Sequence, residues 1–96
     1  MSVYVIAQIE IQDAAEYRKY EAGFVELVAR YRGEILVAED NPRVLEGEWN
    51  CSRTAVVRFR GEREARLFFE SPENQMLDKI RLRSSKNNMI FARGLR

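Results

Sequence analysis

Nine residues near the start, Val3 to Ile11, alternate so strictly that they limit everything else the chain can do. Val3, Val5, Ala7, Ile9 and Ile11 form one apolar face at period two, the pattern of a strand packed on a core. The opposite face, Tyr4, Ile6, Gln8 and Glu10, also begins apolar. A strand with one solvated face has no need of Tyr4 and Ile6 there. The sheet containing this strand is therefore expected to be covered on both sides.

Helices can cover only one of those sides in a chain of this size. Ninety-six residues make a single domain, residues 1–96, without room for a second core. A domain this small buries only about 60–65 % of the surface its unfolded chain exposes. A second copy of the chain is the economical cover for the remaining face.

The rest of the chain supplies the helices and three more strands. Asp13 followed by Glu16 is a capping-box-like start. Beyond it Tyr17, Tyr20, Phe24, Leu27, Val28 and Tyr31 fall on one helical face, with Arg18, Lys19, Glu21, Glu26 and Arg30 opposite. Gly23 is read as a close approach to the sheet and Gly33 as the helix stop. Glu34–Ala38 is a short strand, and Glu39–Arg43 a polar loop containing Asn41-Pro42. Thr54–Arg60 is the clearest later strand, turning Ala55, Val57 and Phe59 inward. Gly61 ends it. Glu62–Glu70 reads as a helix burying Ala65, Phe68 and Phe69, and Ser71-Pro72-Glu73 restarts it, with Met76, Leu77 and Ile80 facing the core. Ser84–Asn88 reads as a loop and Met89–Leu95 as the last strand.

The order is β-α-β-β-α-β, which specifies an α+β, ferredoxin-like fold: a four-stranded antiparallel sheet with helices on one face. Tyr4, Ile6 and Val56, with Ile90 beside them, then mark the other face as the contact of a homodimer packed sheet to sheet.

Composition excludes several functions. Net charge is +1, although the first half is net acidic and the second net basic. Signs interleave along the helices, so no nucleic-acid partner is expected. One cysteine cannot form an internal disulfide, no apolar run approaches a membrane span, and Met1-Ser2 leads straight into a strand. A cytoplasmic protein with no membrane contact is expected. There is no histidine to ligate haem or zinc, or to serve as an imidazole base. No metal site is expected, and with no glycine-rich phosphate loop no cofactor is either.

Polar groups on apolar faces are the candidate binding residues. The phenols of Tyr17 and Tyr20 lie on the core side of their helix, where each needs a partner. Trp49 follows Glu46-Gly47-Glu48, as a lid over the core or one wall of a pocket, and Glu46 is a hydrogen-bond acceptor beside a turn. Arg53 and Arg81 suit a carboxylate, against the plainer reading of salt bridges to Glu46, Glu73 or Asp78. Cys51 lies near Arg53 but has no base to activate it, and is read as a bystander.

Several stretches taken together resemble a known family. Y-V-I-A-Q-I-E at the start, the Tyr17/Tyr20 helix, L-E-G-E-W at 45–49, A-V-V-R-F at 55–59, S-P-E at 71–73 and Arg81 match, in order, the domain-of-unknown-function family thirteen-thirty of the dimeric α/β-barrel superfamily. The resemblance implies a dimer whose two sheets form a barrel, and no established activity. The superfamily includes cofactor-independent monooxygenases, haem-degrading enzymes and lactone-forming isomerases. A small-molecule site between sheet and helices is thus implied, with cofactor-independent oxygenation or isomerisation as candidate chemistry. Asn74 departs from the family pattern, where tyrosine usually follows S-P-E.

Two alternatives belong to other classes. One is a non-catalytic dimeric interaction or ligand-sensing module. The other is an RNA-binding module of RRM type, which the strand R-T-A-V-V-R-F-R disfavours because it lacks the glycine and exposed stacking aromatics of that fold.

Overall fold

The alternation at Val3–Ile11 carries over into the structure, a computed structural model that describes residues 1–95. That segment is strand β1, with Val3, Val5, Ala7 and Ile9 buried. Helix α1 spans Ala14–Arg30, β2 Glu34–Glu39, β3 Arg53–Phe59, α2 Glu62–Glu70, α3 Pro72–Ser84 and β4 Ser85–Arg93. The sheet runs β2-β3-β1-β4, all pairs antiparallel. This is the ferredoxin-like order, with both helical layers on one face.

Each helix begins where its sequence says it should. Asp13 accepts a hydrogen bond from the Glu16 N–H at 3.1 Å, the capping interaction expected. Ser71 does two jobs at the α2–α3 junction. Its Oγ accepts from the Asn74 N–H at 3.1 Å and donates to the Phe68 carbonyl at 2.7 Å. Pro72 takes the first helical position, where its missing N–H costs nothing.

The core divides along the sheet. At one end Phe68, fully buried, is ringed by Phe24, Tyr31, Phe59 and Phe69, with ring centroids 5.0 to 5.8 Å away. At the other end Tyr17 and Tyr20 lie over Ala7 and Ile9.

Four expectations need correction. The loop expected at Ser84–Asn88 does not exist: α3 runs to Ser84 and β4 begins at Ser85. The serines themselves make this possible, because Ser84 Oγ donates to the Ile80 carbonyl and Ser85 Oγ to the Arg81 carbonyl, both at 2.7 Å. They satisfy the carbonyls at the helix end without a turn. The Ser84 carbonyl also accepts from the N–H groups of Gln12 and Asp13, tying the end of α3 to the start of α1.

Gly33 is not the left-handed stop of α1. Arg32 takes that conformation, with φ of 59°. Glycine is required one residue later for space, since a Cβ at position 33 would lie 2.8 Å from Val28 and 2.9 Å from Phe59. Gly23 likewise permits a close approach, but to Leu77 of α3 rather than to the sheet; a Cβ there would meet it at 2.6 Å. Met76 does not reach the core. It is 63 % exposed, and Asn74 is buried instead.

Candidate functional site

A row of three small residues crosses the helix-covered face of the sheet. In register, Ala38 on β2 pairs with Ala55 on β3, which pairs with Ala7 on β1. The row on one side is Ile35–Val57–Val5–Phe91, and the row on the other contains Arg53, Ile9 and Asn87. Alanine stops at Cβ, so the middle of the sheet cannot reach the helices above it. Between the alanines and α1 lies a cavity of about 320 Å³. Tyr17, Tyr20, Glu21, Phe24 and Val25 of α1 form its roof, and Asp78 and Arg81 of α3 close one side. Most of its wall is hydrocarbon, with a few convergent polar groups, the usual make-up of a ligand site.

The two tyrosines stack over this space, with ring centroids 5.3 Å apart. Burial raises both phenols above the ordinary tyrosine value. Arg53 and Arg81 pull Tyr17 the other way, as Arg81 does Tyr20, and desolvation outweighs them. No hydrogen bond contributes to either shift. Both groups are therefore neutral hydroxyls at the wall of the cavity, each able to donate and to accept.

The cations are already engaged. Arg53 pairs with Glu21 of α1, and its Nε donates to Asp40 Oδ1 at 2.7 Å. Arg81 Nε donates to Asp78 Oδ1 at 3.0 Å, one helical turn away. Both arginine side chains are largely buried, at 16 % and 11 % exposure. In that setting the pairing matters more than at the surface, because a lone charge would be poorly solvated.

The six sequence candidates thus part company. Tyr17, Tyr20, Arg53 and Arg81 line the cavity. Trp49 and Glu46 do not; they belong to the long connection from Asp40 to Ser52, with Glu46 exposed beside Gly47, whose φ is +79°. Trp49 Nε1 donates to Thr54 Oγ1 at 2.8 Å, and Thr54 pairs with Gln8 on the uncovered face of the sheet. Cys51 Sγ lies 3.6 Å from the same hydroxyl, away from the cavity wall. Asn74 is also absent from that wall; its Nδ2 donates to the Phe69 carbonyl at 3.5 Å.

Sequence reasoning missed the alanine floor and Asn87. The composition around Asn87 predicts a loop, whereas Asn87 is a β4 residue paired with Ile9 and part of the cavity wall. The partners of Arg53 differ too: Glu21 and Asp40, not Glu46. Among the described residues no three His, Cys, Asp or Glu side chains converge on one point. No helix among them is long and apolar enough to cross a membrane.

Known structures share this architecture at low sequence identity. A protein of unknown function from Rhodopseudomonas palustris superposes with a TM-score of 0.82 at 11 % identity, covering 99 % of this chain and 83 % of that one. A dimeric ferredoxin-like protein of unknown function from Jannaschia sp. CCS1 gives 0.80 at 12 % identity, over 98 % and 100 % of the two chains. SnoaB, a cofactor-independent oxygenase from Streptomyces nogalater, gives 0.66 at 12 % identity, over 99 % and 94 %. At such identities the likeness establishes the fold. A comparison with curated protein sequences finds no match. The family signature covers residues 2–95, nearly the entire chain, and the protein belongs to the family described as Domain of unknown function (DUF1330).

Proposed function

We propose that the protein is a homodimer that binds one small molecule per protomer in the cavity between α1 and the alanine row. The observation that carries this is the cavity itself. About 320 Å³ of apolar space lies beneath a helix that elsewhere packs tightly, with Tyr17, Tyr20, Arg53 and Arg81 gathered at its wall. A chain selected only for stability gains by filling such a volume, since voids cost packing energy.

The uncovered sheet face supports the dimer. Val37, Val56, Ile6 and Ile90 pair in one row across all four strands. Val37 and Ile90 are exposed, and Ile6 and Val56 are half-buried. Relatives from Jannaschia sp. CCS1, Bacteroides fragilis and Thermobifida fusca are described as dimeric. Packing two such sheets face to face, as an α/β barrel, removes this row from water and covers Tyr4. A covered Tyr4 also argues against RNA stacking on this face.

Binding is the first reading and turnover the second. Glu21 and Asp78 are each held by an arginine, and both phenols are driven toward their protonated form. No free base remains on the wall for proton abstraction. Ligand sensing needs none. The shared fold with SnoaB motivates assaying cofactor-independent oxygenation alongside binding, with isomerisation as the other candidate chemistry.

The test is a thermal-shift and turnover screen with small apolar aromatics, in wild-type protein and Tyr17→Phe. Binding reduced in the variant supports the cavity. If no compound in a broad panel shifts the melting temperature or is converted, the role is wrong.

A further inference from the structure

The hydroxyls of Tyr17 and Tyr20 make no hydrogen bond to another described residue, and yet neither oxygen is sealed inside the protein. Among the described residues Asn87 Oδ1 is the one side-chain oxygen or nitrogen that is both fully enclosed and without a partner. The two tyrosine oxygens, partnerless as well, therefore keep accessible surface. Both residues are otherwise buried and roof the cavity, so it is there that their oxygens meet open space. The charges that act on the phenols agree. Arg81 bears on both, Arg53 on Tyr17 and Asp78 on Tyr20, and all three belong to the cavity wall. Tyr17 also bears on Tyr20, so the two oxygens share one corner.

That corner is rich in donors. Its carboxylates are occupied, Glu21 by Arg53 and Asp78 by Arg81 Nε at 3.0 Å. Two O–H protons remain, together with the further N–H groups of the Arg81 guanidinium, which carries five donors and no acceptor. A phenol can accept as well, but beside an arginine the surplus is of protons, and what the corner lacks is an acceptor oxygen. The charge of that oxygen follows from the phenols themselves. Burial holds both in the protonated form in spite of Arg53 and Arg81, so an anionic oxygen is disfavoured where they lie. The two arginines already face Glu21, Asp40 and Asp78, which leaves no excess positive charge to offset an incoming carboxylate.

We infer that the cavity takes an apolar ligand bearing an uncharged carbonyl, whose oxygen accepts hydrogen bonds from the Tyr17 and Tyr20 hydroxyls. This rests on the binding role proposed above and narrows it. It also departs from the reading of Arg53 and Arg81 as receivers of a carboxylate. Their charges are answered within the chain, and the tyrosines choose the ligand.

The experiment titrates three ligands of one shape by calorimetry at neutral pH. They are 2-acetylnaphthalene, 2-isopropenylnaphthalene, in which C=CH2 replaces C=O, and 2-naphthoate. Full-length wild type is compared with the Tyr17→Phe/Tyr20→Phe double variant, which keeps both rings and loses both hydroxyls. The quantity read is the ratio of ketone to alkene affinity, because general changes in packing cancel in it. That ratio is expected to be at least about tenfold higher in wild type, each lost hydrogen bond accounting for a few-fold. Naphthoate is expected to bind wild type most weakly of the three. Where the double variant fails to fold, the infrared carbonyl stretch of the ketone bound to wild type serves instead, and it is expected at lower frequency than in cyclohexane. A ratio that the double substitution leaves unchanged, tightest binding of naphthoate, or a stretch at its cyclohexane value overturns the inference and leaves the binding role standing. Silence from all three ligands overturns both.

Discussion

The two faces of the sheet are made by the same strands one residue out of step, and they solve opposite problems. The covered face is sealed by α1 and by α2 with α3, yet it is hollow where Ala38, Ala55 and Ala7 line up. The uncovered face has no helix, yet the row Val37–Val56–Ile6–Ile90 crosses it in hydrocarbon. Burial is thus forgone where it was available and prepared where no element of the chain provides it. The first choice reads as a binding site and the second as a subunit contact. Charged rows set limits to the second: Glu34 pairs with Arg58 at 2.5 Å beside Tyr4, and Arg58 Nε donates to Ser2 Oγ at 2.9 Å.

The largest test of this contrast falls at the filled end of the covered face. Phe68 is fully buried among four aromatic rings, so Phe68→Ala removes packing that cannot collapse around the loss. A destabilisation of about 3–5 kcal/mol is expected in urea unfolding. A cost under about 1 kcal/mol would show that this end is as loosely packed as the cavity. On the other face, Ile6→Asp places a charge in the middle of the apolar row. If a second copy covers that row, dimer affinity falls by about thirtyfold or more, equivalent to roughly 2 kcal/mol. Light scattering across a dilution series reads this directly. A dimer that tolerates both Ile6→Asp and Val56→Asp uses some other surface.

Much of the covered face is legible in the sequence alone. Period two located Val3–Ile11, and the spacing of Tyr17, Tyr20, Leu27 and Val28 identified the buried side of α1, because both patterns are local. The site itself was only half legible. Tyrosine and arginine on apolar faces signal themselves by chemistry. The alanine floor does not, since Ala7, Ala38 and Ala55 become neighbours only through strand register. Asn87 was hidden by its surroundings: S-S-K-N-N has the composition of a turn, and tertiary pairing with β1 overrides that local preference. Trp49 lies off the cavity wall for a reason its residue type does not reveal. A lone indole attracts attention by type, but its partner Thr54 assigns it to the uncovered side.

Filling the hollow isolates its purpose. Ala55→Leu projects from the middle of the floor into a cavity with room for the added carbons. Ligand affinity is expected to fall by more than tenfold, while stability holds within about 1 kcal/mol or rises, as cavity-filling substitutions commonly do. Paired titration and urea unfolding separate the two effects. A variant that loses stability by about 2 kcal/mol or more would mean that the space closes in solution, and that the two ends of the core are alike.

The smallest effect is a difference in pH dependence carried by the roof of the cavity. Burial raises the Tyr20 phenol, and to a lesser degree that of Tyr17, above the unfolded value of 10.0. The folded chain therefore keeps protons that the unfolded chain releases. Below pH 10 both states hold them and the groups leave stability unchanged. Above it the unfolded state binds fewer protons, so stability must fall as pH rises toward the folded values. Each tyrosine contributes at most about 1.4 kcal/mol per pH unit in that window. Tyr20→Phe is expected to remove its share of the alkaline slope and to leave the curve below pH 9 parallel to wild type. The protons are held because the phenols face hydrocarbon rather than water, so a ligand that excludes water from the cavity carries the same slope to higher pH. A ligand lying on the uncovered face leaves it as it was, and that difference assigns the molecule to one side of the sheet.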